Sequence, residues 1–132
     1  MEEGAIIREG FIRADDIVCV RAHLEDVFSN TVKKVAVVGH SLGGSAGIEA
    51  TFCFADIVAF ANRDGRQLRK ELACTKPILL LVAHQEKKGR EQFEASFAGV
   101  AHTHIDVEAK HGTITEHPDT VPQLLAFLGE HL

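Results

Sequence analysis

Apolar residues first recur at helical spacing from Ile17 onward, at Ile17, Val20, Leu24, Val27 and Phe28. Asp15 and Asp16 stand where a cap and first-turn acids belong, so the pattern predicts a helix that Ser29-Asn30 ends. The dozen residues before it are mixed, and Gly4 and Gly10 make them a poor strand. Val35–Val38 is a continuous, largely β-branched run between Lys34 and Gly39, the pattern of a strand buried on both faces of a parallel sheet. Small apolar residues then fill 42–54 and predict a tightly packed helix. Ile57–Ala61 reads either as a second strand or as the continuation of that helix, because periodicity does not separate the two in a short apolar run. Asn62-Arg63-Asp64-Gly65 is a turn cluster, and Gln67–Leu72 reads as a short charged helix. Pro77 introduces Ile78–Ala83, the strongest strand pattern in the chain. Glu91–Phe97 follows as a brief helix and His104–Val107 as a shorter strand. In the last segment Val121, Leu124, Leu125 and Leu128 form one stripe at i, i+3, i+4 and i+7, with Asp119 or Thr120 to cap the helix and Pro122 in its first turn.

Strands alternating with helices predict an α/β fold, a small three-layer sandwich with a mostly parallel sheet of about three to five strands. With 132 residues, 45% of them hydrophobic and 25% charged, the chain is expected to form a single globular domain over 1–132. Composition narrows the function classes. Nineteen acids against 14 bases give a net charge of −5, which disfavours a broad phosphate-binding face. The one basic cluster, Lys87-Lys88-Gly89-Arg90, has no aromatic platform beside it, and no nucleic-acid partner is expected. No apolar run reaches the length of a membrane span, and Met1-Glu2-Glu3 lacks the basic and apolar regions of a secretory signal. Cys19, Cys53 and Cys74 are odd in number and widely spaced, so they are expected to be buried free thiols of a cytoplasmic protein. His102-x-His104, with His111 and His117, lacks any recognised metal-ligand spacing, so no metal and no cofactor is expected.

Gly39-His40-Ser41-Leu42-Gly43 fits G-x-S-x-G. The bare pattern arises by chance, and a glycine-rich turn with an incidental serine would satisfy it. Its setting is more specific, because it follows a predicted buried strand and opens a helix of small residues. This is the context of a nucleophile elbow, in which the serine sits on a sharp, strained turn and the helix N-terminus faces the reaction. Flanking glycines let strand and helix approach without Cβ clashes. The N–H of Leu42, the residue after the serine, is the expected oxyanion donor.

On these residues the chain resembles the α/β-hydrolase superfamily. Val35–Gly44, VAVVGHSLGG, is similar to that family's nucleophile segment, and the helix from Ala14 to Phe28 to the one leading into it. Lys76–Ala83 resembles the later strand that precedes an acid-bearing loop. His111-Gly112, Glu116–Asp119 and the terminal helix resemble the catalytic-histidine segment. The ending, EAKHGTITEHPDTVPQLLAFL, looks most like the thioesterase branch, which offloads acyl chains from carrier proteins. The resemblance covers residues 11–132 but only the second half of a usual hydrolase domain.

It implies a serine hydrolase that cleaves a carboxylic ester or an acyl thioester of a small-molecule substrate. Ser41 is the implied nucleophile and His111 the implied base; His117 lies in a helix entry better suited to a surface role. The acid has two candidates. Glu86 is the only carboxylate in the loop after Ala83, and Asp64 occupies the loop after Ile57–Ala61 if that segment is a strand. Of the two, Glu86 is the preferred acid. The loop that usually supplies the second oxyanion donor has no counterpart before Ala14, so the first strands of the family sheet are expected to be missing. Val35–Val38 would then be an exposed edge, covered by a second copy in a homodimer, by the N-terminal dozen residues or by a missing partner segment. The alternative function is an inactive remnant of the fold that serves as a binding or assembly module.

Overall fold

The computed structural model describes residues 3–28, 31–69, 74–85 and 90–132. In chain order the elements are α1 (Glu3–Phe28), β1 (Val35–His40), α2 (Leu42–Cys53), β2 (Ile57–Arg63), β3 (Ile78–Ala83), α3 (Arg90–Phe97), β4 (Thr103–Val107) and α4 (Thr120–His131). The four strands form one parallel sheet in the order β1-β2-β3-β4. Parallel neighbours need a crossover on a sheet face, so each face carries helices and its own core. Ile48 of α2 and Phe97 of α3 pack on Phe60, Ile78, Leu80 and Val82 on one face. Phe127 of α4 and Ile114 pack on Ala59, Ala61, Leu79 and Leu81 on the other. The architecture is therefore the expected α/β sandwich, and Ile57–Ala61 is a strand that runs on to Arg63. Asn62 and Arg63, read from sequence as part of a turn, are its last two residues, and the turn itself begins at Asp64.

β3 is buried along its whole length, as its uninterrupted apolar run requires. β1 is not buried on both faces. Most of its residues are half-buried, and Val38 is 36% exposed, because β1 is an edge strand with β2 as its one hydrogen-bonded neighbour among the described residues. The N-terminal dozen residues do not cover that edge by adding a strand. They extend α1 back to Glu3. At Gly10 the helix packs closely on the segment before residue 70. A Cβ at Gly10 would stand 2.3 Å from Leu68 Cδ1, and Arg69 lies over the Phe11 ring at 5.3 Å. An ion pair one turn apart, Glu9–Arg13 at 2.9 Å, supports the same stretch.

Other expectations change with packing. The stripe on α1 divides: Ile17 and Leu24 are half-buried, whereas Val20, Val27 and Phe28 are exposed. On α4, Phe127 and Thr120 are buried and Leu124 and Leu128 half-buried, while Val121 and Leu125 face outward. Residues 67–69 are not helical, and 70–72 lie outside the described residues, as do Ser29-Asn30 and residues 87–89 of the basic cluster. Of the three free cysteines only Cys74 is buried; Cys19 and Cys53 are exposed. No helix among the described residues is long and apolar enough to cross a membrane.

Candidate functional site

The C-terminal ends of β1, β2 and β4 converge on one point, the end of an open parallel sheet where ligands generally bind. At the end of β1 the backbone turns sharply through Ser41, with φ 54° and ψ −123°, and enters α2 at Leu42. A non-glycine residue at positive φ is strained and persists only where its surroundings hold it. Here the Ser41 N–H donates to the Arg63 carbonyl (2.9 Å), and the Ser41 carbonyl accepts from the Ser45 N–H (3.0 Å). Gly39 makes the turn sterically possible, since a Cβ there would stand 2.3 Å from the Gly43 carbonyl oxygen.

A second turn closes against the first. Asp64 follows β2 and also has positive φ, at 58°. Asn62, fully buried, spans that turn: its Oδ1 accepts from the Gly65 N–H (2.8 Å) and its Nδ2 donates to the Gly65 carbonyl (2.5 Å). Gly65 lies directly against the serine turn, where a Cβ would meet the Ser41 carbonyl oxygen at 2.3 Å. Asp64 is held from β3 as well. Its N–H donates to the Leu81 carbonyl (2.9 Å), and its Oδ1 accepts from the Ala83 N–H (3.3 Å). The remaining oxygen, Oδ2, points at the loop after β4.

His111 stands in that loop and joins the two turns. Its Nδ1 is 2.5 Å from Asp64 Oδ2 and its Nε2 is 2.9 Å from Ser41 Oγ. Asp64 is well sheltered, and the His111 ring is about a third exposed, so one side of the arrangement is open to solvent. A carboxylate only accepts, so Nδ1 carries the proton and Nε2 is left as the acceptor facing the serine hydroxyl. The Leu42 N–H, which follows Ser41 directly in the chain, belongs to the first turn of α2, whose N–H groups have no partner within the helix. The arrangement can take a proton from Ser41, keep the resulting imidazolium beside a carboxylate, and offer a backbone donor to a negative oxygen.

The structure thus brings together Ser41, Leu42, His111 and Asp64, residues 47 to 70 positions apart where His111 meets its two partners. Glu86, the acid preferred from sequence, lies outside the described residues. His117 is turned to its own helix entry, where its Nδ1 accepts from the Asp119 N–H (3.3 Å). His102 Nδ1 bonds the Val100 carbonyl (2.6 Å), and His104 Nε2 meets Asp106 (3.1 Å). Sequence reasoning assigned no role to two residues that shape the site. Asn62 was visible only as part of a turn cluster. His40, the variable residue of the motif, carried no signal, because its contact is made across the fold to the His111 backbone.

No known family model and no curated protein matches this chain. Among solved structures, a ferulic acid esterase from Streptomyces cinnamoneus is similar to it, with a TM-score of 0.72 and 20% sequence identity. The match covers all of this chain and 50% of the esterase, so the chain spans about half of that protein's length. At this identity the likeness establishes a hydrolase-like α/β fold.

Proposed function

We propose that the chain is a serine hydrolase acting on a carboxylic ester or acyl thioester. The observation that carries this reading is the single imidazole held between Ser41 Oγ at 2.9 Å and Asp64 Oδ2 at 2.5 Å. Ser41 Oγ attacks the acyl carbon as His111 Nε2 removes its proton. The tetrahedral oxyanion takes a hydrogen bond from the Leu42 N–H. Collapse breaks the bond to the leaving oxygen or sulfur, which receives the proton from His111, and an acyl-Ser41 ester remains. Water then enters, gives its proton to the same nitrogen and attacks the ester, and the acid leaves as Ser41 regains its hydrogen. The atoms balance with no cofactor. Asp64 keeps the Nδ1 tautomer and stabilises the imidazolium. A fluorophosphonate probe tests the reading. Labelling at Ser41 that is lost in Ser41→Ala, together with turnover of p-nitrophenyl esters or acyl thioesters, is expected. Labelling elsewhere or none, with no turnover, overturns it.

A second reading rests on the open edge of β1. The strand has β2 on one side, and α1 leaves Val20, Val27 and Phe28 exposed. In this reading the chain assembles with a second copy along β1, and an inert protein that forms a stable dimer would be the binding or assembly module.

A further inference from the structure

The residue before Ser41 makes a contact that the reaction as written does not use. His40 ends β1, and its side chain crosses to the loop after β4. Its Nε2 is 2.8 Å from the backbone oxygen of His111, and the two imidazole rings lie 4.9 Å apart, inclined at 36°. A carbonyl oxygen only accepts, so His40 is the donor and its Nε2 carries the hydrogen.

The placement of this bond gives it meaning. His111 lies in a run of turns over 111–116, outside any helix or strand ladder. The run is tied down at both ends. On one side the Ala109 carbonyl accepts from the Gln85 N–H (3.1 Å). On the other Ile114 is fully buried, and its carbonyl accepts from Thr120 Oγ1 (2.5 Å). Between these anchors comes Gly112, where a Cβ would meet nothing within 4 Å, in a turn that the Thr113 N–H closes on the Lys110 carbonyl (3.0 Å). The bond from His40 ties the peptide plane between His111 and Gly112 to β1 from across the fold, and with it the direction in which the His111 side chain leaves the backbone.

The bond matters most at one stage of the proposed reaction. In the resting site the His111 ring is fixed at both nitrogens, by Asp64 and by Ser41. Once Ser41 Oγ is acylated it has no hydrogen to donate, and the ring loses that bond while it keeps the one to Asp64. The grip of His40 on the backbone does not change at that stage. We infer that His40 is a positioning residue that keeps His111 aimed at the hydrolytic water during deacylation, through a hydrogen bond to the His111 carbonyl. This rests on the hydrolase reading above.

Two variants separate the donor from the ring. His40→Phe keeps a ring against His111 and loses the N–H, whereas His40→Gln places an amide N–H at nearly the reach of Nε2 and loses the ring. With a p-nitrophenyl ester under burst conditions, H40F is expected to slow deacylation about 10- to 100-fold, the scale of a small misplacement of a catalytic group, and acylation by less than about threefold. H40Q is expected to recover at least about a third of the wild-type deacylation rate. Equal slowing of both steps in H40F, no slowing of either, or an H40Q as slow as H40F overturns the inference. A readout independent of activity keeps it distinct from the hydrolase reading. The Thr113 amide, bonded to the Lys110 carbonyl at 3.0 Å, reports the order of the loop by hydrogen exchange. A wild-type protein with no burst and no Ser41 labelling overturns the hydrolase reading, and the hold is then decided by exchange alone. Exchange at Thr113 at least about tenfold faster in H40F than in wild type and H40Q supports the hold, and unchanged exchange overturns it.

Discussion

Asp64 shows how much a single side chain is asked to do in this site. Its two oxygens have different partners: Oδ1 faces the Ala83 N–H and Oδ2 faces His111 Nδ1. Asp64→Asn is therefore a directed change. The amide oxygen belongs at Oδ1, where it keeps a donor opposite it, and this leaves the amide N–H₂ facing Nδ1. His111 must then accept at Nδ1 and carry its proton on Nε2, the wrong tautomer for a base to Ser41. Asn also tolerates the positive φ at this position, so strain does not confuse the outcome. The expected result is a fall in kcat on the order of 10³- to 10⁴-fold with the thermal midpoint nearly unchanged. Glu86→Gln, measured in parallel, is expected to leave kcat within about threefold, since Asp64 already occupies His111 Nδ1. The opposite pattern, a mild Asp64→Asn and an inactive Glu86→Gln, would move the acid to the loop after β3.

At the scale of elements, the strands were easier to read than the faces of the helices. A run such as Ile78–Ala83 is apolar throughout and is buried along its length, whereas the equally apolar Val35–Val38 marks a strand but not its place at the sheet edge. A helical stripe says which residues lie together, but not how far the neighbouring elements extend over them. Hence Val121 and Leu125 share a stripe with Leu124 and Leu128 yet face outward, and Val20 and Val27 do the same on α1. The site was legible in part for the same kind of reason. Ser41 and His111 are marked by local sequence, whereas the choice between Asp64 and Glu86 depended on whether Ile57–Ala61 was a strand. His40 and Asn62 act through contacts that no local pattern encodes.

A further long-range contact that sequence could not show links α2 to the segment before residue 70. Glu49 is 1% exposed and bonded by Arg69 through Nε (2.7 Å) and Nη2 (2.6 Å). Its Oε1 is buried with no hydrogen-bond partner among the described residues. The Glu49 carboxylate, by hydrogen bond and charge, holds the Arg69 guanidinium above its ordinary range, partly against the cost of its burial. A raised base adds stability below its unfolded value and loses it only as pH rises through the folded one, so this contribution is constant at ordinary pH. The two halves of the pair are unequal, since the Arg69 side chain is 44% exposed. Arg69→Ala strands a buried carboxylate and is expected to cost about 3–5 kcal/mol. Glu49→Gln leaves an arginine that reaches water and is expected to cost less than half as much. Urea unfolding of the two variants checks the order, and equal losses would show that the carboxylate is not the costly partner.

For the molecule as a whole, the unresolved demand is the outer edge of β1. Six residues, Val35–His40, pair with β2 on one side. A parallel edge of that length, with Val38 partly exposed and no second neighbouring strand among the described residues, offers N–H and C=O groups to a complementary strand. The strand also carries His40 and leads directly into Ser41, so whatever covers this edge stiffens the support of the site. A two-fold pair formed by β1 against its own copy would continue the sheet from four strands to eight, and such self-complementary closure is the commonest route to a soluble oligomer. Sedimentation of the wild-type chain at tens of micromolar is then expected to show a dimer, with a thermal midpoint that rises with protein concentration. Val38→Lys places a charge on the edge, a common way in which sheets block such pairing, and is expected to weaken the dimer at least about tenfold while the helix and strand content stays unchanged. A wild-type chain that remains monomeric at these concentrations, with a concentration-independent midpoint, would leave the edge unpaired and remove the second copy as the element that completes the sheet.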